Sequence, residues 1–231
     1  MNFREWEPVY EAVLADFGYD RAADERARDR LARTLGSETF DLAGLPVRGA
    51  SVAIAGAGDT LGTELALARE ADLVVAASTA ADRLREAGIF VDCMVTDLDK
   101  NPETARSLTG DGVPVAVHAH GDNLGVIGTV VPSLDAAAVI PTTQARPRGD
   151  TWNFGGFTDG DRAAFLADHL GAAELTFPGW DFDDPSVGRE KARKLDWAER
   201  LLYWLERRRG DRFAVLDGRR DALDVTGLPG V

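Results

Sequence analysis

Cysteine is almost absent. Cys93 stands alone in 231 residues, which excludes an internal disulfide and any metal site built on a cysteine cluster. Histidine is nearly as scarce, with only His118, His120 and His169. Of 26 basic residues, only Lys100, Lys191 and Lys194 are lysines. No apolar run approaches the ~20 residues that a membrane span needs. The opening MNFREWEPVYEAVL lacks the charged-then-apolar pattern of an export signal, so a cytoplasmic protein with no membrane partner is expected. Positive charge is short overall: a net charge of −13 argues against a nucleic-acid partner, because phosphate backbones need a basic surface.

What is present is aspartate, alanine and arginine. Aspartate outnumbers glutamate two to one. An Asp-rich, Lys-poor surface suits a protein kept soluble in concentrated salt, where screening removes the cost of self-repulsion. A salt-adapted, halophilic host is therefore expected.

Residues 3–17 and 21–35 read as two helices, the second closed by Gly36. A Gly/Pro-punctuated connection follows, and from about residue 49 the pattern alternates. SVAIAG, DLVVAAS, DCMVTD, PVAVHAH, AAVIP and AELTFPG read as strands, with helical segments around 61–70, 79–88, 101–109, 122–133 and 160–170. Alternation of this kind predicts an α/β, Rossmann-like parallel sheet of about six strands with flanking helices. We divide the chain into an N-terminal helical segment, 1–48, and an α/β catalytic domain, 49–231. In GREKARKLDWAERLLYWLERRRG the leucines and tryptophans fall near helical spacing and read as core packing. RFAVLD reads as a further short strand.

Chemistry concentrates at the predicted strand ends. SVAIAGAGDTLGTEL joins a strand to a helix through Gly56, Gly58 and Gly62, a loop suited to phosphate or to a plain tight turn. It misses the dinucleotide spacing, and no acid ends the second strand to hold a ribose, so NAD is disfavoured. In CMVTDLDK, Asp97 and Asp99 stand two apart; continued extended geometry would point both to one side, ready to share Mg²⁺. Helix capping by Asp99 or Asn101 is the competing reading. VPVAVHAHGDN is one residue from the H-x-H-x-D-H zinc signature of metallo-β-lactamase-type hydrolases, with Asn123 where the last histidine belongs. His169 lies in a helical run, so zinc is disfavoured, yet His118, His120, Asp122 and Asn123 are too polar for mere core. Finally, 141–172 offers Gln144, Arg146, Arg148, Asn153, Thr158, Asp159, Asp161 and Arg162, with Asp159 or Asp161 also eligible as a helix cap. FPGWDFDD adds Trp180, Asp181 and Phe182 at another strand end. Four of six strands thus end in carboxylates, amides or histidines.

The set VTDLDK, VHAHGDN, TTQ, NFGGFTDGDRA and GWDF, with the glycine loop IAGAGDTL and the late KARKLDWA, resembles the archaeal 6-hydroxymethyl-7,8-dihydropterin pyrophosphokinases, which are related in fold to thiamine pyrophosphokinases. The match runs from about Ala50 to Leu205; it departs in IAGAGDTL, which lacks a Pro-Ser pair, and in VVAASTA, which lacks an acidic turn. The resemblance implies transfer of diphosphate from ATP to the pterin alcohol with release of AMP, on the way to a folate- or methanopterin-type cofactor. It implies Mg²⁺ on Asp97, Asp99 and Asp159, with Asp122 and His120 beside them in the catalytic set. Gly56, Gly58, His118, Asn123, Gln144, Arg146, Asn153, Thr158, Asp161, Arg162 and Asp181 are the candidate contacts to pterin or ATP, with Lys100 a further cation and Phe154, Phe157 or Trp180 available to stack. A thiamine pyrophosphokinase, a zinc hydrolase and a nucleotide-binding sensor remain the rival readings, and a homo-oligomer is compatible with the N-terminal helices.

Overall fold

A computed structural model describes residues 1–230. Helix α1 (Phe3–Phe17) starts at Asn2, whose side chain accepts from the amides of Arg4 and Glu5 while Glu5 returns the bond, and stops at Gly18 in the left-handed conformation. Two residues later Asp20 caps α2 (Arg21–Leu35) by accepting from the Ala22 amide.

Six strands follow: β1 (Ser51–Ala55), β2 (Leu73–Ala77), β3 (Cys93–Thr96), β4 (Val115–Ala119), β5 (Val139–Thr143) and β6 (Glu174–Thr176). All pair in parallel in the order β5-β4-β3-β2-β1-β6. Helices α3 (Leu65–Glu70), α4 (Ala80–Glu86), α5 (Pro102–Gly110) and α6 (Leu124–Val130) make the crossovers from β1 to β5, and α7 (Asp159–Leu170) carries the chain back to β6. Helix α8 (Arg189–Arg209) closes the fold.

The period-two alternation of the strands sorts the core into two layers. Val52, Ile54, Val75, Cys93, Val95 and Ile140 pack with α1, α7 and α8. Ala53, Ala55, Val74, Ala76, Met94, Val115 and Val117 face the other way, against α2 and the crossover helices. The two N-terminal helices therefore lie on opposite faces: Trp6 of α1 meets Phe165 and Trp204 at 6.1 and 6.3 Å between ring centroids, while Ala27 and Leu31 of α2 belong to the second layer.

RFAVLD is not a strand. Residues Ala214–Leu216 form a single 3-10 turn, because Phe213 and Leu216 are drawn into the core. The Phe213 amide donates to buried Glu206 and its carbonyl accepts from Arg220, so this backbone is satisfied by side chains rather than by a sheet. Among the described residues no helix is long and apolar enough to cross a membrane.

Candidate functional site

Strands β1 to β5 advance across the sheet in sequence order and β6 returns beside β1, so all six C-terminal ends share one edge, with the direction of travel reversing at β1 and β6. That reversal is where open α/β sheets leave a crevice. Two cavities lie along this edge. The first, about 310 Å³, sits over β3, β4 and β5 and holds Asp97, Asp99, His120, Asp122, Gln144 and Arg162. The second, about 320 Å³, sits over β1, β2 and β6 and holds Gly56, Gly58, Ser78, Trp180, Asp181 and Phe182. Lys100, Thr158, Asp159 and Lys191 line both, so the cavities meet there.

Asp97 and Asp99 do share a cavity, but not through extended geometry. Strand β3 ends at Thr96, and Leu98 turns into the left-handed region at φ 68°, a costly conformation for a leucine buried in the second core layer. The Asp99 amide donates to Asp97 Oδ1 at 3.2 Å, closing an Asx-type turn. Asn101 does take the N-cap position of α5, but without a side-chain cap bond: it spends its amide on Ser78 O and Asp82. Burial alone would raise Asp97, but hydrogen bonds from His120 and Asp99 and the charge of Arg162 hold it well below the usual carboxylate range. Asp99 is pushed up to about 6 by burial and by its neighbour Asp97. The two neighbouring carboxyls are thus pushed in opposite directions.

The loop HAHGDN divides its labour. His118 is buried, its Nδ1 3.0 Å from Thr142 Oγ1 and its Nε2 unpartnered, in the core layer below the cavity. Burial, and then the charge of Arg162, hold its imidazole well below the ordinary value. His120, its ring 6.3 Å from that of His118, reaches the cavity: its Nδ1 accepts from the Asp122 amide, which leaves Nε2–H to donate to Asp97 Oδ2 at 3.3 Å. Asp122 is exposed on the cavity rim. Asn123 does not face the cavity. Its amide donates to Asp97 O at 3.0 Å and His118 O at 2.7 Å and its carbonyl accepts from His120 N, so it staples β3 to β4. The two imidazoles lie 6.3 Å apart between ring centroids, but Asn123 faces backbone and, among the described residues, no third ligand joins them, so HAHGDN does not assemble a zinc-type ligand set.

Several other predicted contacts are likewise structural. Asn153 donates to Gln144 O and Ala145 O and accepts from Gly155 N. Asp161, fully buried, accepts from the amides of Phe157 and Thr158 and so caps α7; burial raises it to about 6 even against Arg162 and those amides. Arg146 lies away from both cavities, paired with Glu7 at 3.0 Å and resting over Phe3. Gly56 and Gly58 line the second cavity, but their amides donate to Pro178 O and Gly179 O. A Cβ on either would come within 2.5 and 2.7 Å of Gly179 O, so glycine is required there for the close approach of two loops. Asp181 Oδ1 accepts from Asp183 N at the cavity's far wall.

Three groups remain poised at the junction. Arg162 Nη1 donates to Asp159 Oδ1 at 3.1 Å and its Nη2 to Gln144 Oε1 at 3.0 Å. Asp159 is raised to about 7 by burial first and then by the charge of Asp97, against the pull of Arg162. Thr158 caps the same helix and lines both cavities. The donor set of Asp97, Asp99 and Asp159 is all hard oxygen, and the upward shifts of Asp99 and Asp159 reflect a crowding of negative charge that a divalent cation would relieve. Among the described residues no three His, Cys, Asp or Glu form a ready ligand cluster. Carboxylate oxygens of this kind could hold a hard cation such as Mg²⁺ only with further ligands from outside the protein.

Two contributions lie outside the motifs. Asp24 of α2 is 3% exposed and accepts from Tyr10 OH at 2.7 Å, Gly121 N at 2.7 Å and Gln144 Nε2 at 3.4 Å, so the N-terminal helices anchor the HAHGDN loop and orient Gln144. Lys191 and Lys194, in the first turns of α8, reach the first cavity with Lys100, which gathers all three lysines of the chain at one place. Their signal in the sequence was rarity against 23 arginines, not a motif.

The profile of the family described as 6-hydroxymethylpterin diphosphokinase MptE-like matches residues 29–186. Three curated relatives, each named 6-hydroxymethyl-7,8-dihydropterin pyrophosphokinase, align along nearly their full length. The Methanothermobacter thermautotrophicus protein is 37% identical, over 90% of this chain and 96% of its own. That of Pyrococcus furiosus is 35% identical, over 89% and 95%. That of Methanocaldococcus jannaschii is 32% identical, over 89% and 96%.

Proposed function

The chain belongs to the MptE-like 6-hydroxymethylpterin diphosphokinase family, and from that premise we propose that it moves the β,γ-diphosphate of ATP to the primary hydroxyl of 6-hydroxymethyl-7,8-dihydropterin and releases AMP, with Mg²⁺ on the carboxylates of the junction. The pterin acceptor is preferred over thiamine because all three relatives carry the pterin name. The observation that supports this reading most is that Asp97, Asp99 and Arg162 of the first cavity stand beside Asp159 and Lys100, where that cavity joins the second, each large enough for a heterocycle.

Transfer forms a bond from the hydroxymethyl oxygen to the β-phosphorus and breaks the bridge to the α-phosphate, AMP leaving with the bridging oxygen and the hydroxyl proton passing to solvent. Such a step asks for alignment and charge neutralisation more than for covalent help. Mg²⁺, when bound, supplies charge to the phosphate oxygens. Arg162, held by Gln144 and Asp159, presents a fixed guanidinium to the same oxygens. His120 holds Asp97 in place through Nε2. Phe157 and Tyr19 line the first cavity and Trp180 the second, giving each heterocycle an apolar face.

The test is product identity. Incubation with ATP, Mg²⁺ and the pterin alcohol should yield AMP, and thiamine in its place should yield none; ADP would mean an ordinary kinase, and no nucleotide turnover would overturn the reading. Asp97→Asn should abolish turnover with unchanged circular dichroism, and near-normal activity would remove Asp97 from the reacting centre.

A further inference from the structure

The cations around the two cavities are not equivalent. Arg162 is committed to Asp159 and Gln144, and Lys194 to Glu190 at 3.0 Å. Lys100 and Lys191 have no carboxylate partner within salt-bridge distance among the described residues, and they are also the only cations lining the second cavity. A chain with net charge −13 that leaves two ammonium groups unpaired at one junction has kept a place for a strong anion there. The positive end of α7, a 12-residue helix, opens onto the same junction through Thr158, Asp159 and Gly160.

We propose that Lys191, with Lys100 facing it across the junction, grips the diphosphate group as it passes from the nucleotide in one cavity to the acceptor alcohol in the other. The inference rests on the diphosphotransfer reading and adds to it a catalytic residue in α8. Lysine suits the role where arginine serves everywhere else in the chain. Its compact charge on a four-carbon stem follows a moving group, whereas a guanidinium fork fixes one geometry. The β-phosphorus changes partners without a covalent intermediate, so the grip acts on the oxygens that carry charge in the transition state.

The experiment uses the full chain with Lys191→Gln and Lys191→Arg. Lys191 is exposed on the first turn of α8, so both variants should keep the wild-type denaturation midpoint. Expected are a fall of about 10²-fold in kcat/KM for Lys191→Gln, mostly in kcat, and partial recovery in Lys191→Arg. Calorimetric titration with inorganic pyrophosphate should show affinity lowered at least about tenfold in Lys191→Gln, while AMP affinity changes less than about threefold. Wild-type turnover with Lys191→Gln within about threefold of it would overturn the proposal. If the wild type itself released no AMP, the diphosphotransfer reading would fail, and the pyrophosphate titration would still decide whether Lys191 holds such an anion. Equal pyrophosphate affinity in wild type and Lys191→Gln would refute it.

Discussion

Asp159→Asn should make the ligand-free protein more stable and less active. Asp159 is held at about 7 by burial and the charge of Asp97, against about 4 in an unfolded chain. Between those values the native state keeps a proton that the unfolded state has lost. Stability therefore falls as pH rises from about 4 to about 7, and the full penalty stands above that window. One pH decade is worth about 1.4 kcal/mol, which sets a ceiling near 4 kcal/mol. The side chain retains 16% exposure, and this contact with water brings the expected figure to about 2 kcal/mol. Asparagine keeps an oxygen for Arg162 Nη1 while removing the charge, so the 3.1 Å bond has a replacement. Guanidinium chloride unfolding of both proteins, with a chelator and no nucleotide, gives the answer as a difference, in which groups common to both cancel. The variant should gain about 2 kcal/mol at pH 8 and under about 1 kcal/mol at pH 5. A gain that ignores pH, or a loss at pH 8, would refute the argument that this carboxylate is kept at a cost to the fold for the sake of its ligand.

Asn123→Ala should cost about 2–4 kcal/mol of stability, because three side-chain bonds go, one buried and two partly buried; an unchanged melting temperature with a raised pterin KM would instead return Asn123 to the ligand. The pH profile of kcat/KM should have an acid limb between about 6 and 7, where Asp99 and Asp159 take up protons. Raising Mg²⁺ should move that limb to lower pH, and a limb insensitive to the ion would separate these acids from metal binding. Dilution from molar salt to about 0.1 M should lower the melting temperature, since a net charge of −13 is then unscreened; indifference to salt would remove the salt-adapted reading.

The six strands, both N-terminal helices and the shared edge were legible because each rests on a local signal: a short buried run, a cap, a polar strand end. Side-chain direction beyond a strand end was not. Alternation predicts facing only while the backbone stays extended, and at Leu98 it does not. Asn123, Asn153 and Asp161 look like ligand contacts in a motif, yet their polar atoms meet backbone a few residues away. The reverse error hid Lys191 and Lys194: helical spacing found the buried stripe of α8, but not that its first turns overhang a cavity. Asp24 was out of reach for another reason, since its partners Gly121 and Gln144 lie about a hundred residues downstream.

The placement of α1 has a consequence for synthesis. The helix packs against elements translated long after it: Trp6 needs Phe165 and Trp204, Asp16 binds Trp197 and Arg193, and Glu5 binds Arg208. On the ribosome α1 has no complete core to join until α8 has emerged, so it waits while the whole sheet is made. The cavity is bounded on one side by Asp24, which α1 braces through Tyr10, and on the other by Lys191. A chain that lacks α1 or α8 therefore carries the acidic motifs without the assembled site, and the cavity takes its shape only when these two helices have closed on each other.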